Sequence, residues 1–153
     1  MNSDFKDLLH AFNEAGVRYL IVGGYAVIHY SQPRYTKDLD IWVEPSAENA
    51  RRLLVALGEF GAPLLNLSED DFMAPGTQLS IGVAPSEIDI LTVVPGLEFA
   101  AVWENRVLSD EQGLPIAYLS RPDLITAKQA AGRHQDLADI EELRRADGEE
   151  ESS

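Results

Sequence analysis

Apolar residues recur along this chain with two different periods, and the switches between them mark out its elements. Over residues 4–15, Phe5, Leu8, Leu9 and Phe12 fall at helical spacing, and Gly16 stands where such a helix would close. Tyr19-Leu20-Ile21-Val22 is a short apolar run stopped by Gly23-Gly24, the pattern of a buried strand, and residues 25–31 predict a short helix opening directly from the glycines. A loop over 31–36, its backbone restricted by Pro33, leads into a second strand at 39–43. Pro45-Ser46 starts a helix that runs to about Phe60 and places Ala47, Ala50, Leu53, Leu54 and Leu57 on one side. Residues 61–76 yield only a short helix at 68–73. The runs 77–83 and 87–94 predict a β-hairpin turning at Ala84-Pro85-Ser86 and closed by Pro95-Gly96. A helix near 97–104 and a strand near 114–119 follow. Ser120, with Asp123 three residues on, resembles a capping box for a helix to about Ala131, which Gly132 breaks. A last helix over 134–146 is expected to bury Leu137, Ile140 and Leu143, and the acidic stretch 147–153 to fray.

Composition narrows the classes. The chain has 153 residues, 45% of them apolar, enough for one core but little more. It has no cysteine, which excludes disulfides, thiolate metal sites and cysteine nucleophiles and fits a reducing, cytoplasmic setting. No apolar run approaches the ~20 residues of a membrane span, and the polar, acidic N-terminus does not read as a signal peptide. Twelve basic against 26 acidic residues give a net charge of −14. A surface of that sign repels long polyanions and attracts small cations.

The chemistry gathers on Lys37-Asp38-Leu39-Asp40-Ile41-Trp42-Val43. In a strand, Asp38 and Asp40 share one face while Leu39, Ile41 and Val43 share the other. Two carboxylates on a rigid element suit Mg²⁺, which takes oxygen ligands and leaves room for substrate phosphates, and two ions bound together would steady both oxygens of an in-line displacement. Asp89, between Ile88 and Ile90, completes a triad if its strand lies beside the second one, where it would hold the metal nearer the acceptor and take the attacking hydroxyl's proton. Glu87, on the same face, is the runner-up for that role. Gly23 and Gly24 let phosphates approach a helix start closely; Arg34, Thr36 and Lys37 are placed to add contacts to the same phosphates. Singly, an Asp-x-Asp is most often a solvated strand end and a Gly-Gly most often a turn; it is the set, in this order, that points to nucleotide chemistry. Trp42 shares alternation with the aspartates and is read as packing at the far end of its strand, with stacking under a base as the alternative.

The run Gly23-Gly24, a short helix, Arg34-Tyr35-Thr36-Lys37-Asp38-Leu39-Asp40-Ile41 and then Ile88-Asp89-Ile90 resembles the DNA polymerase β-like nucleotidyltransferase superfamily, over residues 19–94. Within it, the Arg-x-Thr-x-Asp-Leu-Asp form is similar to the small bacterial branch related to abortive-infection (AbiEii-like) toxins, and to aminoglycoside and lincosamide nucleotidyltransferases. The resemblance implies an α/β (α+β) fold: a mixed β-sheet with helices packed on one face and a C-terminal helical hairpin. The core would span 1–119, the hairpin 120–146, and an acidic, disordered tail 147–153. A weaker match over 128–140 implies that Lys128 and Arg133 approach the triphosphate while Asp136 and Asp139 organise the hairpin or orient Arg133; the alternative is that Lys128 and Arg133 are surface charges in helix ion pairs. Position 24 is Gly where many relatives have Ser, so Tyr25, Thr36 or backbone alone would replace a hydroxyl contact. The implied activity is transfer of a nucleoside monophosphate from an NTP, ATP among them, to an acceptor hydroxyl, with two Mg²⁺ ions. A small cationic acceptor fits the acidic surface, and a toxin–antitoxin partner protein is the second candidate; the acidity disfavours nucleic acid, with tRNA left open although the extra helical domain of the larger relatives is nearly absent. The rival reading is a non-catalytic nucleotide-binding module with the same fold.

Overall fold

A computed structural model of the chain describes every residue except Tyr35, Lys37, Leu65, 83–85 and Ser153, and no side chain from 148 to 152. The elements run α1 (Ser3–Ala15), β1 (Tyr19–Val22), α2 (Gly23–Tyr30), β2 (Asp38–Val43), α3 (Ala47–Phe60), a 3₁₀ turn (Glu69–Phe72), β3 (Gln78–Ile81), β4 (Glu87–Leu91), α4 (Phe99–Trp103), β5 (Val107–Glu111), β6 (Leu114–Tyr118), α5 (Arg121–Ala131) and α6 (His134–Ser152). The caps follow from residue chemistry. Asn2, Ser46 and Ser120 each accept a backbone N–H in the first turn of α1, α3 and α5, satisfying donors that a helix start leaves open.

The six strands form one mixed sheet in the order β3-β4-β2-β1-β6-β5. β2 is central: it runs antiparallel to β1 and parallel to β4. Leu39, Ile41 and Val43 are fully buried, in one cluster with Phe5, Leu8, Leu9 and Phe12 of α1 and Leu53 and Leu57 of α3. The opposite, even-numbered face of β2 carries the two aspartates and then Trp42. Trp42 is 2% exposed and meets Phe99 of α4 edge-on at 5.2 Å. Phe99 in turn stacks on Trp103 at 5.5 Å. The tryptophan thus packs at the far end of its strand.

The structure departs from the sequence reading in three places. β5 is an additional strand. Its outward residue Leu108 is 65% exposed while Ser109 and Glu111 turn partly inward, so the usual alternation is inverted. The signal it does carry is the turn Gln112-Gly113, both at positive φ (54° and 90°), which matches the twist of a tight hairpin. α6 does not stop at 146: it continues to Ser152 through the acidic stretch expected to fray, in keeping with the helix propensity of its three glutamates, Glu149 to Glu151, which outweighs that of Gly148. And Leu137 is not buried; it is 53% exposed. The inward stripe of α6 is Asp136, Asp139, Ile140 and Leu143, at i, i+3, i+4 and i+7, all buried. The turn expected at Ala84-Pro85-Ser86 lies largely outside the described residues.

Candidate active site

β2 and β4 run side by side in register, Asp38 opposite Glu87 and Asp40 opposite Asp89. Directly opposed residues of paired strands lie within side-chain reach, so four carboxylates crowd one patch of sheet. Oxygens of Asp38, Glu87 and Asp89 all lie within 4.8 Å of one another. Asp40 is hydrogen-bonded to Asp89; burial, then the charges of Asp89 and Asp38, push its carboxyl up to about 7, against a smaller opposing pull from Lys128. Asp89 is 9% exposed and accepts a 2.6 Å hydrogen bond from Ser80 on β3, which fixes one of its oxygens. Among the described residues no lysine or arginine forms an ion pair with Asp38, Asp40 or Asp89. The patch is an all-oxygen donor set dense in negative charge, and that fits Mg²⁺ or Mn²⁺ better than softer metals.

α2 starts at the edge of this patch. Gly23 has φ +68°, and a Cβ added there would fall on the Asp40 carboxylate. A Cβ at Gly24 would meet Thr36 Oγ1 at 2.6 Å and its Cβ at 3.3 Å. The two glycines therefore let the helix start press against β2 and against the loop that feeds it. The N-cap residue, Val22, gives no side-chain hydrogen bond, so the first amides of α2 are not capped by it and the positive end of the helix faces the acidic patch. Thr36 puts its hydroxyl against the space that a side chain at position 24 would occupy. Lys37, the other loop residue expected at the phosphates, lies outside the described residues.

The helical hairpin brings the remaining cations. Lys128 of α5 bridges Asp136 at 3.3 Å and Asp139 at 3.0 Å. Arg133 bonds Asp136 at 2.7 Å while its side chain stays 75% exposed. Arg34 donates to Asp139 at 2.6 Å and approaches Glu142 at 3.9 Å. Bonds from Arg133 above all hold Asp136 down to about 2, despite burial. Burial pushes Asp139 up, but its bonds from Arg34, Gln135 and Lys128 together leave it below the usual carboxylate range. Lys128 and Arg133 both act electrostatically on or with Asp40, so the hairpin's positive charge stands beside the carboxylates. Lys128 thus pairs across the hairpin from α5 to α6 and is mostly buried, Arg133 pairs locally with Asp136, and Arg34 is tied to the hairpin.

A family model described as "Nucleotidyltransferase of unknown function (DUF6036)" matches residues 3–146. The chain belongs to this family. Among solved structures, the lincosamide antibiotic adenylyltransferase LnuA, bound to lincomycin, is similar over 94% of this chain and 96% of its own, with a TM-score of 0.61 at 15% identity. The antibiotic-resistance factor ANT(2'')-Ia is similar over 94% and 80%, with a TM-score of 0.54 at 16% identity. An antigenic nucleotidyltransferase-like protein from Paracoccidioides brasiliensis is similar over 95% and 77%, with a TM-score of 0.54 at 16% identity. At such identities the likeness is one of fold: the DNA polymerase β-like nucleotidyltransferase architecture, with its mixed sheet and C-terminal helix pair. A comparison with curated protein sequences finds no match. Among the described residues no helix is long and apolar enough to cross a membrane.

Sequence reasoning missed one residue of this candidate site and the burial of two others. Ser80 gave no signal, because its role appears only once β3 pairs with β4 and sets it opposite Asp89. Asp136 and Asp139 were expected to organise the hairpin, but their burial was not read from the sequence: two aspartates on the apolar stripe of a helix are buried only if cations meet them.

Proposed function

We propose that the chain transfers a nucleoside monophosphate from an NTP to a hydroxyl of a small acceptor, with divalent cations as cofactor. The observation that carries this reading is the crowding of Asp38, Asp40, Glu87 and Asp89 on one patch of sheet against the glycine start of α2. Like charges held this close together raise the energy of the folded protein, and bound cations would relieve it. Asp38, Asp40 and Asp89 are the proposed ligands, with Glu87 beside them. When bound, the ions supply charge neutralisation and orientation at the phosphates.

The chain's own residues supply the rest. Amides at Gly23 and Gly24 receive phosphate oxygens, helped by the Thr36 hydroxyl. Lys37, Lys128 and Arg133 provide the positive field that a triphosphate requires, and Arg34 holds the loop that feeds β2 against the hairpin. The acceptor oxygen bonds to the α-phosphorus, the bond from that phosphorus to the bridging oxygen breaks, and pyrophosphate leaves with the bond electrons. Asp89, its other oxygen fixed by Ser80, takes the acceptor proton. The net charge of −14 favours a cationic acceptor, and the fold shared with a lincomycin-bound adenylyltransferase supports a small molecule.

The test is label transfer from each α-labelled NTP, with Mg²⁺ or Mn²⁺, to lincomycin, aminoglycosides and candidate partner proteins. Transfer by the wild type and loss of at least a thousandfold in Asp40→Asn, with the fold retained, is the expected result. Undiminished transfer by Asp40→Asn overturns the metal assignment. Metal-dependent NTP binding without transfer across the panel favours the non-catalytic module, and label on a partner protein favours the toxin–antitoxin reading.

A further inference from the structure

Asp139 is among the least accessible charged groups of the chain, 1% exposed, on a helix whose neighbouring Leu137 faces solvent. An isolated carboxylate in such a place is strongly unfavourable. This one is met by donors from three elements: Arg34 Nη1 at 2.6 Å, Lys128 Nζ at 3.0 Å and Gln135 Nε2 at 2.8 Å. Arg34 comes from the loop before β2, 105 residues away in sequence. Two residues after it stands Thr36, packed against Gly24, and two further on Asp38. A purely apolar contact would hold the hairpin on the core equally well, but it would not fix where two cations point.

Resting on the nucleotidyltransferase reading, we propose that Asp139 is a positioning residue: its buried carboxylate ties the loop that bears Thr36 and leads into Asp38 to the C-terminal hairpin and holds Lys128 beside the carboxylates of the sheet. Arg34 then serves as a strut, acting on the nucleotide through the loop. The hairpin becomes a working wall of the nucleotide site, since moving α6 moves Arg34 and with it the residues that face the phosphates. Asp136 makes the equivalent bond for Arg133 but, among the described residues, reaches none of the loop; Glu142 stands 3.9 Å from Arg34, so the short bond of the tie, 2.6 Å, is the one to Asp139.

A double-mutant cycle on the full chain tests it, with Asp139→Asn, Arg34→Ala and the pair. Asparagine keeps the size and an acceptor oxygen but removes the charge. Two quantities are read: urea unfolding without metal, and the dissociation constants of Mg·ATP, Mg·GTP, Mg·CTP and Mg·UTP by calorimetry, well below each variant's melting temperature. The expected result is at least tenfold weaker binding of the preferred nucleotide in each single variant, with the double no worse than the worse single. Stability loss with unchanged dissociation constants makes Asp139 merely structural and overturns the proposal. Losses that multiply in the double make Arg34 an independent phosphate ligand and overturn it equally. If the wild type binds none of the four nucleotides, the nucleotidyltransferase reading fails instead. The tie is then judged by unfolding alone, where additive destabilisation overturns it and non-additive destabilisation supports it.

Discussion

At the scale of single residues, Gly23 and Asp40 form one unit. The glycine needs φ +68° and its missing side chain is the space that the Asp40 carboxylate fills. Gly23→Ala therefore combines a left-handed backbone with overpacking, and should lower stability by about 2–4 kcal/mol in urea unfolding. Gly24→Ala, which meets only the movable Thr36 side chain, should cost about 1 kcal/mol, and the cost should vanish in a Thr36→Ala background. Asp40 adds a pH dependence. Its folded carboxyl is raised to about 7 from an ordinary value of 3.8, so between those values the folded state binds more protons than the unfolded one. Stability of the metal-free protein should fall as pH rises through that window and level off above it. Asp40→Asn removes the effect, and the variant's melting temperature should exceed the wild type's by more at pH 8 than at pH 5. An equal difference at both pH values would show that Asp40 titrates normally.

At the scale of elements, the strand-bound carboxylates were legible because a period of two assigns faces without further information, and β2 obeys it from Asp38 to Val43. Whether Asp89 would join them was not legible, since only the parallel pairing of β2 with β4 decides it. α6 shows the opposite case. Its apolar residues alone put Leu137 inside, whereas the structure fills that stripe with two aspartates because Lys128, Arg34 and Arg133 are there to meet them. Long-range ion pairing of this kind leaves no period in the sequence. The register of α6 can be checked directly. Leu143→Ala should cost about 2–5 kcal/mol, as a buried leucine does, while Leu137→Ser should stay within about 0.5 kcal/mol. Comparable losses at both positions would refute the observed face.

At the scale of the whole molecule, a charge of −14 is spread over a chain in which three carboxylates, Asp38, Glu87 and Asp89, converge on the sheet. Millimolar Mg²⁺ should raise the melting temperature more than an equal ionic strength of NaCl, because the salt screens only the general repulsion while the ion also occupies the patch. EDTA should reverse the difference, and equal shifts from the two salts would argue against a specific cation site. Both tryptophans share one aromatic cluster at the end of β2, joined through Phe99, and Trp42 lies two residues beyond Asp40 on the same face. The chain thereby carries its own optical reporter: in a Trp103→Phe background, the emission of a single indole would follow events at the neighbouring carboxylates without any attached dye.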